Sequence, residues 1–176
     1  MKILYLLRHA KSSWSNPELT DFQRPLNKQG KKDAPMMGKI LANKGVKIDL
    51  LISSPAERAK KTAKKVAKQI AYPKEKIIFN QEIYEARIAD LLNIIHQTPN
   101  NINSLMLVGH NPTFTDLANL LCSNFHTENI PTAGVFAVAF HCKTWAEIEE
   151  NTGNLLFFEY PKKYKTQNEG KALNLY

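Results

Sequence analysis

Only two of the 176 residues are cysteine. Cys122 and Cys142 stand too far apart for a CxxC pair, which excludes a zinc knuckle, a dithiol redox motif or a disulfide framework as the organising feature. Two isolated thiols read as packing residues of a reducing compartment. No apolar run approaches the roughly 20 residues of a membrane span, and the run near the amino terminus, residues 3–7, is shorter than a signal-peptide core. A cytoplasmic protein with no membrane partner is expected. Also missing are a GxSxG elbow, a cysteine heading a phosphate-cradling loop that ends in arginine, a Walker A run and an acidic cluster for magnesium. Serine and cysteine nucleophiles lose their usual support, and neither metal nor cofactor is expected. Acidic residues are scarce as well, 16 against 24 Lys and Arg, for a formal net charge of +8. Such a surface attracts anions without naming one, be it nucleic acid, phosphoprotein or phosphorylated small molecule.

What is present suits one domain, placed at residues 1–160, with a polar, Lys-rich tail at 161–176 expected to be loosely packed. Its centre is the unbroken apolar run Ile3 to Leu7, too short for a helix and without the alternation of a half-wet strand. It reads as a strand buried on both faces. It stops at Arg8-His9, placing a permanent cation and a switchable imidazole at a strand's carboxyl end, where open α/β sheets bind ligands. Two later junctions repeat the design. A strand at 49–53 meets Ser54-Pro55, an expected N-cap and first-turn proline for a helix at 55–70, so that Arg58 sits among that helix's free N–H groups. A strand at 104–108 meets Gly109-His110-Asn111-Pro112, the glycine allowing a sharp turn.

Between these junctions, residues 14–26 form a loop rich in turn formers that contains Arg24. Asn27 caps a helix to about residue 43, ended by Gly45, in which Pro35 forces a kink or marks the true start. A strand at 76–79 leads through Glu82 and Glu85 into a helix at 87–96. Strands at 133–141 and 154–160 close one edge of the sheet. Lys60, Lys61, Lys64, Lys65 and Lys68 suggest a nucleic-acid stripe, yet Ala59, Ala63, Val66, Ala67 and Ile70 occupy the opposite face at helical spacing. A solvated amphipathic face without interleaved aromatics explains both sets, and no nucleic-acid partner is expected. His96, His126 and His141 have no comparable context and are read as structural.

With the first, second and fourth strands adjacent, Arg8, His9, Arg58 and His110 converge in one pocket. Guanidinium forks match phosphate oxygens two at a time and stay charged. A neutral imidazole attacks phosphorus near neutral pH, and neighbouring arginines push His9 toward that form. The expected chemistry is attack by His9 to give a phosphohistidine that water hydrolyses, with Arg8, Arg58 and His110 stabilising the transferring group.

The segments Leu6-Leu7-Arg8-His9-Ala10-Lys11-Ser12, Ser53-Ser54-Pro55-Ala56-Glu57-Arg58-Ala59 with Thr62-Ala63, and Val108-Gly109-His110-Asn111-Pro112 resemble the histidine phosphatase superfamily. Arg24-Pro25-Leu26 followed by Gly30 resembles its SixA-like phosphohistidine phosphatase branch. The resemblance implies a three-layer, phosphoglycerate-mutase-like α/β fold with a mostly parallel sheet. It also implies a phosphorylated His9, a pocket of Arg8, Arg58 and His110 with Arg24 and Ser12 as further substrate contacts, and a phosphoprotein or phosphorylated small molecule as partner. Ala10 replaces the usual glycine, tolerable unless φ is positive there. Glu85 lies where many relatives carry a proton-donating acid, though a helix-start carboxylate explains it equally. Asn16 is left without a phosphate role, and Lys11 without an assigned one. Two rivals stand beside the phosphatase: a small-molecule phosphomutase, and a module that binds phosphate or nucleic acid without turnover.

Overall fold

The computed structural model describes residues 1–165. Its centre is a six-stranded sheet in the order β3-β2-β4-β1-β5-β6, made of β1 (Lys2–Arg8), β2 (Leu50–Ser53), β3 (Ile78–Phe79), β4 (Ser104–Gly109), β5 (Val135–Phe140) and β6 (Asn154–Glu159). β3, β2, β4 and β1 run parallel, while β5 pairs antiparallel with both β1 and β6. The expected three-layer, mostly parallel architecture is therefore the one the chain adopts, and the last two strands close its edge. Tyr5 and Leu7 of β1 pack on one face with Met37 and Leu41 of α1 (Lys28–Asn43) and Val66 of α2 (Glu57–Gln69). Leu4 and Leu6 pack on the other with Leu91 of α3 (Ile88–His96) and Phe114 and Leu117 of α4 (Thr113–Leu121). A strand flanked by helices on both faces needs apolar residues at every position, which is why β1 lacks alternation.

The register aligns the strand ends. Arg8 is level with Gly109, and Ser53 with Val108. One step beyond, the His9 amide donates to the Gly109 carbonyl (3.0 Å) and the Ser54 amide to that of Val108 (2.9 Å). Three sequence-distant junctions thus leave the sheet at nearly one height.

Several local expectations are corrected. Helix α2 starts at Glu57, two residues later than Ser54-Pro55 suggested; the Ser54 hydroxyl accepts from the Ala56 amide (3.2 Å) in a turn that precedes the helix. Arg58 remains in the first turn. Helix α1, capped by Asn27 accepting from Gly30 (2.8 Å), continues through Pro35, which neither begins nor ends it. Gly109 has no positive φ and belongs to β4; a Cβ there would meet Phe114 (2.6 Å) and Ile83 (2.8 Å), so close packing rather than a sharp turn calls for glycine. β3 is two residues long, not four, with both side chains exposed on the outer edge. Residues 161–165 wind into a helical turn with Pro161 buried, and Lys165 pairs with Asp33 (2.9 Å); the remainder of the proposed tail lies outside the described residues. Among the described residues no helix is long and apolar enough to cross a membrane.

Candidate active site

Arg8, His9, Ser12, Arg24, Arg58 and His110 all line one cavity of about 380 Å³ at the carboxyl ends of β1, β2 and β4. The His9 and His110 rings lie 5.2 Å apart. The backbone builds this proximity: Ala10, which follows the pair, has no positive φ, is fully buried and donates its amide to Thr62 Oγ1 (2.9 Å). Thr62 in turn donates to the Arg58 carbonyl (2.7 Å), tying the end of β1 to the first turns of α2. Alanine is therefore accommodated without strain.

The hydrogen bonds fix which imidazole nitrogens are free. His9 Nδ1 is 2.7 Å from the Ala10 carbonyl, which can only accept, so Nδ1 carries the hydrogen and Nε2 the lone pair. His110 Nε2 is 2.7 Å from Ser54 Oγ, which also accepts from the Ala56 amide. Nε2 is the acceptor beside the Ser54 hydroxyl hydrogen, and with that hydrogen donated to it the N–H of His110 lies on Nδ1. That nitrogen, Arg8 Nε and Arg58 Nε are buried without a hydrogen-bond partner among the described residues. Buried N–H groups of this kind are costly unless an acceptor completes them. All three belong to residues of the one cavity, so an oxyanion seated there would find donors from two guanidiniums and an imidazole.

Burial pushes His9 down to about 3, with His110, Arg58 and Arg8 adding in the same sense against the Ala10 carbonyl. His110 is pushed down to about 4, again chiefly by burial, with Arg58 next. Both rings are neutral near pH 7.

Arg8 donates through Nη1 to the Ile130 carbonyl (2.9 Å), and Asn111 Nδ2 donates to the same oxygen (3.0 Å) and to Asn129 Oδ1 (2.8 Å). The loop before β5 thereby anchors two walls at once, with Thr132 lining the cavity from the same loop. Arg24 donates to Ser12 Oγ (2.9 Å) and lies against the Trp14 ring, 3.4 Å from its centroid. Asn16 caps a local turn by accepting from the Glu18 amide (3.1 Å) and does not line the cavity.

Glu85 is not in this cavity. It is exposed, has φ of 57°, and lines a neighbouring cavity of about 300 Å³ that shares only the His110–Asn111 wall. The carboxylate nearest the arginines is one the sequence did not single out. Asp21 pairs with Arg58 Nη2 (3.0 Å) and Arg24 Nε (3.2 Å), accepts from the Tyr84 hydroxyl (2.7 Å), and offers its carbonyl to Arg58 Nη1 (2.7 Å). Partial burial opposes its charge, but Tyr84, Arg58 and Arg24 outweigh it and hold the carboxyl down at about 2. Tyr84 stacks edge-on against His110 at 5.5 Å and against Phe22 at 5.1 Å. The one signal for Asp21 was its place three residues before Arg24; Ser54 and Trp14 gave none beyond membership of the motifs and loop.

A cationic, imidazole-bearing cavity at the carboxyl ends of the parallel strands defines the class: an α/β protein with a cavity suited to an anion. The comparisons name the family. A sequence model of the histidine phosphatase superfamily (branch 1) matches residues 4–100. An uncharacterized chloroplastic protein of Arabidopsis thaliana is 35% identical over 127 residues, 67% of this chain and 58% of that one. An uncharacterized protein of Mycobacterium tuberculosis (strain ATCC 25618 / H37Rv) is 30% identical over 89% of this chain and all of its own length. The chain belongs to the histidine phosphatase superfamily. A 2,3-bisphosphoglycerate-dependent phosphoglycerate mutase of Bartonella bacilliformis is 35% identical over 92 residues, 51% of this chain and 45% of the mutase. Among solved structures, a provisionally named phosphohistidine phosphatase SixA from Agrobacterium tumefaciens superposes with a TM-score of 0.75 at 27% identity, covering 91% of this chain and 98% of its own. A protein histidine phosphatase SixA solved with tungstate shares the fold, with a TM-score of 0.78 at 18% identity over 92% of this chain and 99% of its own.

Proposed function

We propose that the protein is a metal-independent phosphatase that removes phosphoryl groups from phosphorylated histidine side chains through a phosphohistidine formed on its own His9. The observation that carries this reading is the cavity lining, which among the described residues has four cations, Arg8, Lys11, Arg24 and Arg58, two neutral imidazoles and no carboxylate. Two of these cations, Arg24 and Arg58, share the Asp21 carboxylate, and the lining still carries a net positive charge that favours a phosphoryl dianion. His9 Nε2, carrying the lone pair, attacks phosphorus while the substrate's P–N bond breaks; the electron pair stays on the leaving imidazole, which takes a proton from water. A second water attacks the phosphohistidine, releasing inorganic phosphate and restoring neutral His9. Arg8, Arg58 and His110 Nδ1–H stabilise the equatorial oxygens during both transfers.

The absence of a carboxylate in the lining bears on the leaving group. An alkoxide needs a proton as it departs, and a placed acid contributes about 10²–10⁴-fold. Glu85 lines the adjoining cavity, which shares His110 and Asn111 with this one. An imidazole departs with less help, so a P–N substrate suits this cavity better than an alkyl phosphate. The A. tumefaciens relative bears a phosphohistidine phosphatase name, and tungstate, bound by another SixA, is a tetrahedral oxyanion like phosphate.

Rapid-quench trapping with a ³²P-phosphohistidine protein tests the proposal. Acid-labile, base-stable label should appear on His9 and decay as inorganic phosphate is released, and His9→Ala should abolish both. Normal turnover by His9→Ala overturns the mechanism. A phosphomutase is the second reading, favoured by the identity to the Bartonella mutase; it predicts a labelled enzyme that persists until an acceptor alcohol is added. Phosphate binding with no labelling and no turnover would mark a binding module.

A further inference from the structure

We propose that Trp14, backed by Arg24, is a ring-binding subsite for the leaving group, taking the imidazole of the substrate's phosphorylated histidine. The inference rests on the phosphatase reading above and adds to it what holds the part of the substrate that departs.

The chain has two tryptophans. Trp145 is fully buried and donates its indole N–H to the Ile102 carbonyl (2.7 Å), whereas Trp14 is 76% exposed at the mouth of the His9 cavity. An indole carries a large apolar surface whose exposure calls for a reason. Trp14 is not a loose loop residue. Ser13 donates its amide to the Pro25 carbonyl (2.8 Å), Asn27 donates to that of Lys11 (3.0 Å), and Ser12 bridges to Leu26, so the chain on either side of the loop is clamped. The inner face of the ring rests on the Arg24 guanidinium, which is itself buried and held by Ser12 and Asp21. One face is thus fixed against a planar cation, and most of the remaining surface faces water beside the phosphoryl donors.

A cavity of about 380 Å³ lies near the small end of ligand sites, about 300–1,000 Å³. That volume has room for a phosphoryl group together with a side-chain-sized leaving group. A phosphoryl group drawn to Arg8 and Arg58 leaves its attached ring at the mouth, where the exposed indole offers a flat, polarisable partner. Two planar rings gain from offset or edge-on stacking, whereas an alkyl or amine leaving group gains little. Among the described residues the lining has no carboxylate to hold a cationic amine, which further favours imidazole over a lysine or guanidino phosphoramidate.

The competing explanation is that Trp14 only staples Arg24 in place. The two differ in what they predict for substrates with and without a ring. Steady-state kcat/KM should be measured for wild type, Trp14→Ala, Trp14→Leu and Trp14→Phe with phosphohistidine peptide, p-nitrophenyl phosphate and phosphoramidate, a P–N substrate with no ring. Trp14→Ala and Trp14→Leu are expected to lose about tenfold on the two ring substrates and to stay within about twofold on phosphoramidate, with Trp14→Phe retaining most activity. Equal loss on all three substrates, or no loss on any, overturns the subsite. A wild type that hydrolyses none of the three defeats the phosphatase reading instead. As a second readout, Trp14 emission, separated from that of Trp145 by its loss in Trp14→Phe, should be quenched by a non-hydrolysable triazole analogue of phosphohistidine in a peptide and not by orthovanadate alone. Quenching by both alike would also count against ring stacking.

Discussion

His9 and His110 are chemically the same side chain set to different tasks by one hydrogen bond each. The Ala10 carbonyl demands a hydrogen on His9 Nδ1 and thereby exposes the Nε2 lone pair, while the Ser54 hydroxyl serves His110 Nε2 and leaves a hydrogen on Nδ1. A lone pair suits a nucleophile, and a fixed N–H suits a donor to developing charge. Ser54→Ala removes the partner that selects the His110 tautomer. It should lower kcat by about tenfold with KM little changed, since the lost donor acts on the transferring group more than on the resting one. The imidazole ¹⁵N shifts of His110 should move from the Nδ1–H pattern toward a tautomer mixture while those of His9 stay put. An unchanged His110 spectrum would remove Ser54 from this role. Asp21 acts in the opposite sense to the cavity's cations, occupying one side of the Arg58 fork and the Nε of Arg24 so that the remaining donors keep a fixed direction.

Among the elements, the start of α1 and the segment after β1 are pressed together more closely than any side chain permits. A Cβ at Gly30 would lie 2.1 Å from the Lys11 carbonyl oxygen, a backbone atom that cannot turn aside. Gly30→Ala should therefore push α1 away from residues 10–12 at a cost of about 1–3 kcal/mol. The thermal midpoint should fall by roughly 3–10 °C, read by calorimetry. Because Ser12, Trp14 and Arg24 hang from the same clamp, phosphate-analogue affinity should fall with it. A variant as stable as wild type would show that the helix start moves freely. The late start of α2 lies in the backbone: Ala56 has ψ of 139°, outside the helical range, so the helix begins at Glu57 although Ser54 accepts from the Ala56 amide.

On the scale of the molecule, burying two imidazoles among guanidiniums links the site to global stability. An unfolded histidine titrates near 6.5, while folding pushes His9 down to about 3 and His110 to about 4. Between those values the unfolded chain binds more protons than the folded one, so stability rises with pH across that window and is complete above it. Asp21, held down at about 2, adds in the same sense at the acid end. Urea unfolding at pH 7, 5.5 and 4.5 should show a falling free energy, by up to about 1.4 kcal/mol per pH unit for each imidazole. His9→Gln combined with His110→Gln should flatten the slope. A stability independent of pH from 7 to 4.5 would contradict neutral, desolvated rings.

Much of this was legible in the chain because it is local. The unbroken run before Arg8-His9, the Asn27 cap and the position of Arg58 in a first helical turn follow from hydropathy and backbone donors that a few neighbouring residues decide. That the first, second and fourth strands are neighbours was an inference from repeated junctions; the structure places β4 between the other two and aligns the three strand ends. What depended on contacts across the fold could not be read in advance. Glu85 lines the adjoining cavity, a placement its spacing in sequence could not give. Asp21 enters because a loop folds back over α2, and Ser54 because β2 and β4 are neighbours. Trp14 stays outside because its partner is a buried cation rather than the core. The sequence by itself determined the kinds of groups the protein brings to phosphate; only the tertiary structure decided their hydrogen-bond partners, since those depend on side chains that sequence separates and packing brings together.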